Sequence, residues 1–329
     1  DKYQDNLDTY LKYTGQVDDK GFKLSANTET SGRYHTNWLN MMYPRLKLAR
    51  NLLRDDGLIF VSIDDNEVAN LRRLCDDVFG EENFVDTIIW KKRYGGGAKE
   101  KHLVSLHEYV IVYAKQKDLL PNIFIPLSEE SIERYYKNSD EYQQERGPYR
   151  THPLEAMQSF DDRTNLRFPV MAPDGSEVWP KRQWRWGKPR MEEAVAAGEV
   201  EFKPKKDGGW TLSSKQYLRD ETGAIRQTKA FSVVDDVFTQ HGTNEIVEIF
   251  GDAKVFDYPK PSLLMKQLID IGTDGEGEQL ILDFFAGSAA TAHGMFLSNT
   301  DGGERRFLLV QLPEPTTRLD AVGRIAQTA

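Results

Sequence analysis

Along residues 37–53 apolar side chains recur at three- and four-residue intervals: Trp38, Met42, Leu46, Ala49 and Leu53. That spacing is one face of a helix. Pro44 interrupts the face and predicts a kink or a fresh start. Asp55, Asp56 and Gly57 end the helix, and LIFVSI (58–63) follows as an unbroken apolar run. Such a run suits a strand buried on both faces of a parallel sheet. Asp64 or Asp65 can then cap a helix whose stripe is Val68, Leu71, Cys75, Val78 and Phe79. FVDTIIW (84–90) and HEYVIVYAK (107–115) are β-prone and flank an excursion holding Gly95, Gly96 and Gly97.

From Gln116 to about Gln240 prolines, glycines and tryptophans are scattered among short alternating runs, with one helical stretch around 191–197. This reads as a separate, irregular α+β module. Regular texture returns at 244–250. Ser262 stands where a cap belongs before the stripe of Leu263, Leu264, Gln267, Leu268 and Ile271. QLILDFF (279–285) is a buried strand, a glycine turn follows, and 289–296 can be helical. RRFLLVQL (305–312) is another strand, closed by Pro313. The order predicts an α/β fold, a doubly wound, mostly parallel sheet split by the inserted α+β module. The first thirty or so residues are polar, with one short helix expected at 7–13.

Bulk composition bounds the reading without redirecting it. A chain of 329 residues has room for two domains. No run approaches the roughly 20 apolar residues of a membrane span, and the start lacks a secretory signal pattern, so a cytoplasmic location away from any membrane is expected. Cys75 is the single cysteine, which excludes an intrachain disulfide and a Cys-rich zinc site. The histidines show no metal-ligand spacing, so no metal is expected. The net charge of −9 argues weakly against nucleic acid. Local charge decides that question, and Lys181, Arg182, Arg185, Lys188 and Arg190 fall in a stretch without an acid.

Candidate chemistry centres on 283–291. A buried strand ending in Asp283, then Phe284, Phe285, Ala286, Gly287 and Ser288, offers free amides and close backbone approach at a strand's carboxyl end. An ordinary tight strand-to-helix turn needs the same residues. The Gly-Lys-Ser/Thr ending of a phosphate loop is absent, as is the three-glycine dinucleotide fingerprint. Shortly before it, Phe256 to Ser262 carries two prolines into a helix N-terminus, a place for an anion or simply a stiffened connector.

Together, DDGLIFVSIDDNE (55–67), FDYPKP (256–261), LDFFAGS (282–288) and RRFLLVQLPEP (305–315) resemble amino-methyltransferases that modify adenine in DNA. In particular they resemble the modification subunit of type III restriction–modification systems. The segments 37–53, 107–115, 185–202 and 241–251 resemble the same family, so the likeness covers nearly the whole chain. It implies a permuted, Rossmann-like methyltransferase: a catalytic half over 1–115, a target-recognition domain over 116–240, and a cofactor half over 241–329. The implied cofactor is S-adenosyl-L-methionine. Asp283, Phe285, Gly287 and Ser288 would line its methionine end, and Lys260 and Pro261 belong to the adjoining motif. Gln311, with Glu314 as a substitute, takes the position that grips ribose hydroxyls. The implied reaction is methyl transfer to N6 of a flipped adenine at a short site in double-stranded DNA. A homodimer that recruits a helicase–nuclease restriction subunit is the implied assembly.

Two features depart from the family. Its turn continues Ser-Gly-Thr-Thr, whereas this chain has Ser288, Ala289, Ala290 and Thr291, which is strained if position 289 needs a positive φ. The catalytic Asp-Pro-Pro-Tyr, expected just before residue 1, is absent from the 329 residues, so no catalytic residue is assigned. The chain is expected either to be truncated or to be a specificity subunit that binds DNA without methylating it; an RNA or small-molecule methyltransferase is a further rival. The expected DNA contacts are Lys91, Lys92, Arg93 and Lys99 around the triple glycine, then Lys181, Arg182, Arg185 and Lys188, then Lys203, Lys205 and Lys206. Trp184 and Trp186 read as the module's core rather than as stacking platforms.

Overall fold

The computed structural model describes residues 33–96, 101–157, 163–206 and 208–312; the helix expected at 7–13 lies outside them. The chain divides into two compact units, Asp1–Ile123 with Lys229–Ala329, and Phe124–Thr228.

In the first unit, α1 (Arg33–Leu52) runs through Pro44 without a break. A proline removes one backbone hydrogen bond, but Trp38 and Met42 before it and Leu46 and Ala49 after it are all buried, and that shared face holds the helix together. Then come β1 (Leu58–Ile63), α2 (Val68–Phe79), β2 (Phe84–Lys91) and β3 (His107–Ala114). No side chain caps α2. Asp64 instead accepts the Asn66 N–H at 3.0 Å, closing a local turn ahead of the helix.

The second unit holds α3 (Glu129–Tyr135), β4 (Tyr149–Pro153), α4 (Lys188–Ala196), β5 (Val200–Pro204) and β6 (Trp210–Tyr217). Its antiparallel sheet has the order β4–β6–β5. Leu154, Trp184, Met191 and Leu212 are central to its core, and the Trp184 indole N–H donates to the Phe168 carbonyl at 2.8 Å.

The first unit resumes with β7 (Val233–Val234), α5 (Thr239–Phe250), α6 (Ser262–Gly272), β8 (Gln279–Asp283), α7 (Ala290–Ser298) and β9 (Arg305–Leu309). The larger sheet has the order β1–β3–β2–β7. β3 is antiparallel to both neighbours and β7 is parallel to β2, so β1, β2 and β7 share a direction and β3 is reversed. β3 follows β2 in the chain and pairs with it antiparallel, and among the described residues between them there is no helix of the kind that carries a parallel crossover. β8 and β9 form a separate parallel pair. Among the described residues no ladder joins the two sheets, so the single sheet expected from the sequence is seen as two pieces.

Helices cover both faces of the larger sheet. Ile111 and Tyr113 pack with α1 and α2, while Val110 and Val112 pack with Leu264 and Leu268 of α6. Alternate residues of β3 thus serve opposite layers.

Candidate functional site

β8 ends at Asp283, whose carbonyl accepts the Val310 N–H at 2.8 Å. The Asp283 carboxylate then organises the turn from within. One oxygen accepts the Phe285 N–H at 3.0 Å and the other accepts the Thr291 hydroxyl at 2.6 Å. The Gln311 side-chain oxygen accepts the Gly287 N–H at 2.9 Å. Gly287 has φ +53°, and a Cβ there would meet the Phe256 ring at 3.4 Å. Ala289 also lies in the left-handed region, at φ 60° and ψ 26°. Position 289 therefore does need a positive φ, and its methyl group is strained. Phe284 packs into the core with α1 and α2, whereas Phe285 is exposed. Asp283, Phe285, Gly287, Ser288 and Gln311 are thus gathered at the carboxyl end of β8.

Beside this turn opens a cleft of about 340 Å3, walled by Gly242, Glu245, Lys260, Ser288, Ala290 and His293, among others. Gly242 allows α5 to close on the connector, since a Cβ would stand 2.6 Å from the Pro259 carbonyl oxygen. The anion seat expected at the start of α6 is taken by the chain's own carboxylate. Glu245 accepts the Ser262 N–H at 3.0 Å and the Ser262 hydroxyl at 2.8 Å. Ser262 is itself the first helical residue, so it does not cap α6; the sequence expectation is corrected in favour of Glu245. His293 stands 3.8 Å from Glu245. Lys260 is drawn to the side, its Nζ 3.7 Å from Glu108 and 5.7 Å from the centre of the Trp90 ring.

Gly242, Glu245 and Glu108 were not singled out in the sequence. Glu245 reaches its partner across 17 residues, and no local spacing reports such a bond. At the carboxyl end of β1, Tyr109 bonds His107 at 2.9 Å. Its hydroxyl is held above its usual range by a hydrogen bond to Asp65 and by burial. The sequence offered Asp65 only as a helix cap.

The basic residues fall into different settings. Lys92 is engaged by Glu108 at 2.9 Å, and its carbonyl accepts the Thr239 N–H. Lys91 lies 6.0 Å from the centre of the Phe238 ring, on which Tyr94 stacks at 3.6 Å. Arg93 is exposed, and Lys99 lies outside the described residues. In the second unit Lys181, Arg182, Arg185, Lys188, Lys203, Lys205 and Lys206 are all exposed. Lys188 pairs with Glu192 at 3.9 Å and Lys203 with Glu201 at 2.9 Å. The Lys181 and Arg182 backbone N–H groups both donate to Glu155, which fixes that strip while its side chains stay in solvent. Among the described residues no His, Cys, Asp or Glu cluster could hold a metal ion, and no helix is long and apolar enough to cross a membrane.

A family model described as DNA methylase matches residues 13–296, which takes in both units and the turn after β8. The chain belongs to the DNA methylase family. The Mod subunit of the type III restriction-modification enzyme StyLTI of Salmonella typhimurium is 36% identical over 281 residues, covering 85% of this chain and 41% of that protein. The EcoP15I Mod subunit of Escherichia coli is 30% identical over 331 residues, covering 91% and 50%. The type II methyltransferase M.KpnI of Klebsiella pneumoniae is 29% identical over 309 residues, covering 86% and 69%. This DNA methylase chain therefore spans about half or less of the type III relatives it matches. The likeness to type III modification subunits read from the motifs holds over most of its length. Gln311 lies beyond the residues matched by the family model.

Proposed function

We propose that this DNA methylase chain binds S-adenosyl-L-methionine in the cleft beside 283–291, within an enzyme that methylates adenine N6 at a short DNA site in a restriction–modification system. The turn carries the proposal: the Asp283–Thr291 and Gly287–Gln311 bonds hold the start of α7 at the wall of the cleft. Helices leave their first amides without intrahelical partners, and such an end suits a carboxylate or hydroxyl. With its oxygen held by Gly287, Gln311 keeps its amide NH2 for a ribose hydroxyl. The apolar wall formed by Ile246, Ala292 and Phe296 suits the uncharged parts of the cofactor, and the Phe285 ring is exposed in the turn beside it. When bound, S-adenosyl-L-methionine supplies a methyl group on a sulfonium. The residues described bind and orient; none is assigned the positioning of the adenine amino group, because Asp-Pro-Pro-Tyr does not occur in the sequence.

We assign Phe124–Thr228 as the target-recognition domain inserted into a permuted, Rossmann-like methyltransferase. Its exposed lysines and arginines support contact with DNA phosphates. A homodimer that recruits a helicase–nuclease subunit is supported by the sequence resemblance, and the type III relatives are themselves named as subunits of restriction-modification enzymes.

Calorimetry of the full chain with S-adenosyl-L-methionine, or its demethylated product, tests the cleft. Saturable binding is expected for the wild type and none for Gly287→Trp, whose Cβ must enter against Phe256 at φ +53°. Circular dichroism confirms that the variant is folded. A wild type that does not bind, or a folded Gly287→Trp that binds unchanged, refutes the assignment.

A further inference from the structure

A second cavity lies wholly within the second unit and takes no part in the turn or in the exposed basic strip. It measures about 240 Å3, and its walls include Phe124, Tyr136, Arg150, Gln216, Asp220 and Arg226. Arg150 on β4 stands directly across the ladder from Gln216 on β6. Its Nε–H donates to the Gln216 side-chain oxygen at 2.6 Å, and its guanidinium sits 5.4 Å from the centre of the buried Tyr136 ring. His152 Nε2 lies 3.2 Å from the same oxygen, which it bonds in the tautomer that carries its proton on Nε2. Both lone pairs of the Gln216 oxygen are thereby used, and its NH2 remains a donor. Arg226 is tethered in the same way, its Nε–H donating to the Tyr217 carbonyl at 2.9 Å. Each guanidinium is held at its Nε, which leaves the two terminal nitrogens as a fixed fork. Asp220 uses one carboxylate oxygen to close the turn to Thr222 and Ala224, and the other oxygen keeps its acceptor capacity.

We propose that this cavity reads a guanine in the recognised DNA, with Arg150 and Arg226 donating to its O6 and N7. The proposal rests on reading the second unit as the recognition domain. The wall is rich in donors, and guanine presents two acceptors side by side in the major groove. Adenine mixes an acceptor with a donor, cytosine offers a donor, and thymine offers one acceptor beside a methyl group. The Asp220 carboxylate repels a phosphate at the same place. It also suits the amino group of the cytosine paired with that guanine. Base readout then belongs to the cavity, and phosphate contact to the exposed strip that includes Lys181 and Arg182.

A random-sequence duplex pool enriched on the full chain, and separately on Arg150→Lys and Arg226→Lys, tests this. Lysine keeps the charge but not the fork. The wild-type motif is expected to contain a guanine whose discrimination falls about 5- to 150-fold in either variant, the equivalent of one bidentate base contact. A motif without guanine, or one that both variants keep intact, overturns the proposal. An intact motif with a shallower salt dependence in Arg150→Ala also overturns it, by marking a phosphate contact. No enrichment on the wild-type chain would instead remove the DNA-recognition reading itself, and the guanine site with it.

Discussion

Ala289 holds the left-handed conformation with a Cβ that clashes with its own following carbonyl, at a cost of about 1–2 kcal/mol. Its amide donates to the Ala286 carbonyl at 2.8 Å, and its carbonyl accepts from the Ala292 N–H at 3.0 Å, so the turn keeps the residue there. Glycine at 289 would relieve the clash but widen the unfolded ensemble by about 0.4–1 kcal/mol. Ala289→Gly is therefore expected to raise stability by roughly 0.5–1 kcal/mol, read as a higher urea midpoint at unchanged slope. A lower midpoint would mean that position 289 carries no strain. The sequence could pose this question, from the small residues around Gly287, but could not answer it, because φ at 289 is set by where β8 and α7 must meet.

The relation between elements was only partly legible. Apolar runs located β1, β8 and β9, and stripes located α2 and α6, because burial leaves a period in the sequence. The direction of β3 was not legible: HEYVIVYAK is as apolar in an antiparallel place as in a parallel one. Strand ends were overshot at 284–285 because the Asp283 carboxylate turns the chain there by taking the Phe285 amide. The approach of α7 to α6 was equally hidden, although it carries the cleft. It depends on Gly294, where a Cβ would stand 2.6 Å from Met265 Cβ and 2.9 Å from the Ser262 carbonyl oxygen. Gly294→Ala should gain helix propensity yet lose about 1–3 kcal/mol through forced separation of the two helices. Because Ser288 and Ala290 move with α7, it should also weaken cofactor binding in the same titration. A variant with wild-type stability and affinity would show that the helices can part freely.

Across the whole chain, the change of texture overlaps the second compact unit but does not coincide with its borders. Residues 229–240 look irregular, yet they return to the first unit, where Val233 and Val234 pair with β2 and Val237 enters the core. Two paired residues are too short to leave a period. Net charge was equally uninformative at this scale: the chain carries −9, while the strip that includes Lys181, Arg182 and Arg185 presents its basic side chains to solvent. Association with DNA through such a strip is driven by counterion release, and each phosphate contact adds about 0.9 to the slope of log K against log salt. The Lys181 and Arg182 backbones are held by Glu155 through N–H groups that survive substitution. Lys181→Gln with Arg182→Gln should therefore leave the fold intact and make the slope shallower by about 1.8, with weaker binding to every duplex. Sequence preference should not change, since phosphates carry no base information. The same slope in the double variant and the wild type would place those two side chains away from DNA and move the phosphate-gripping face elsewhere on the protein.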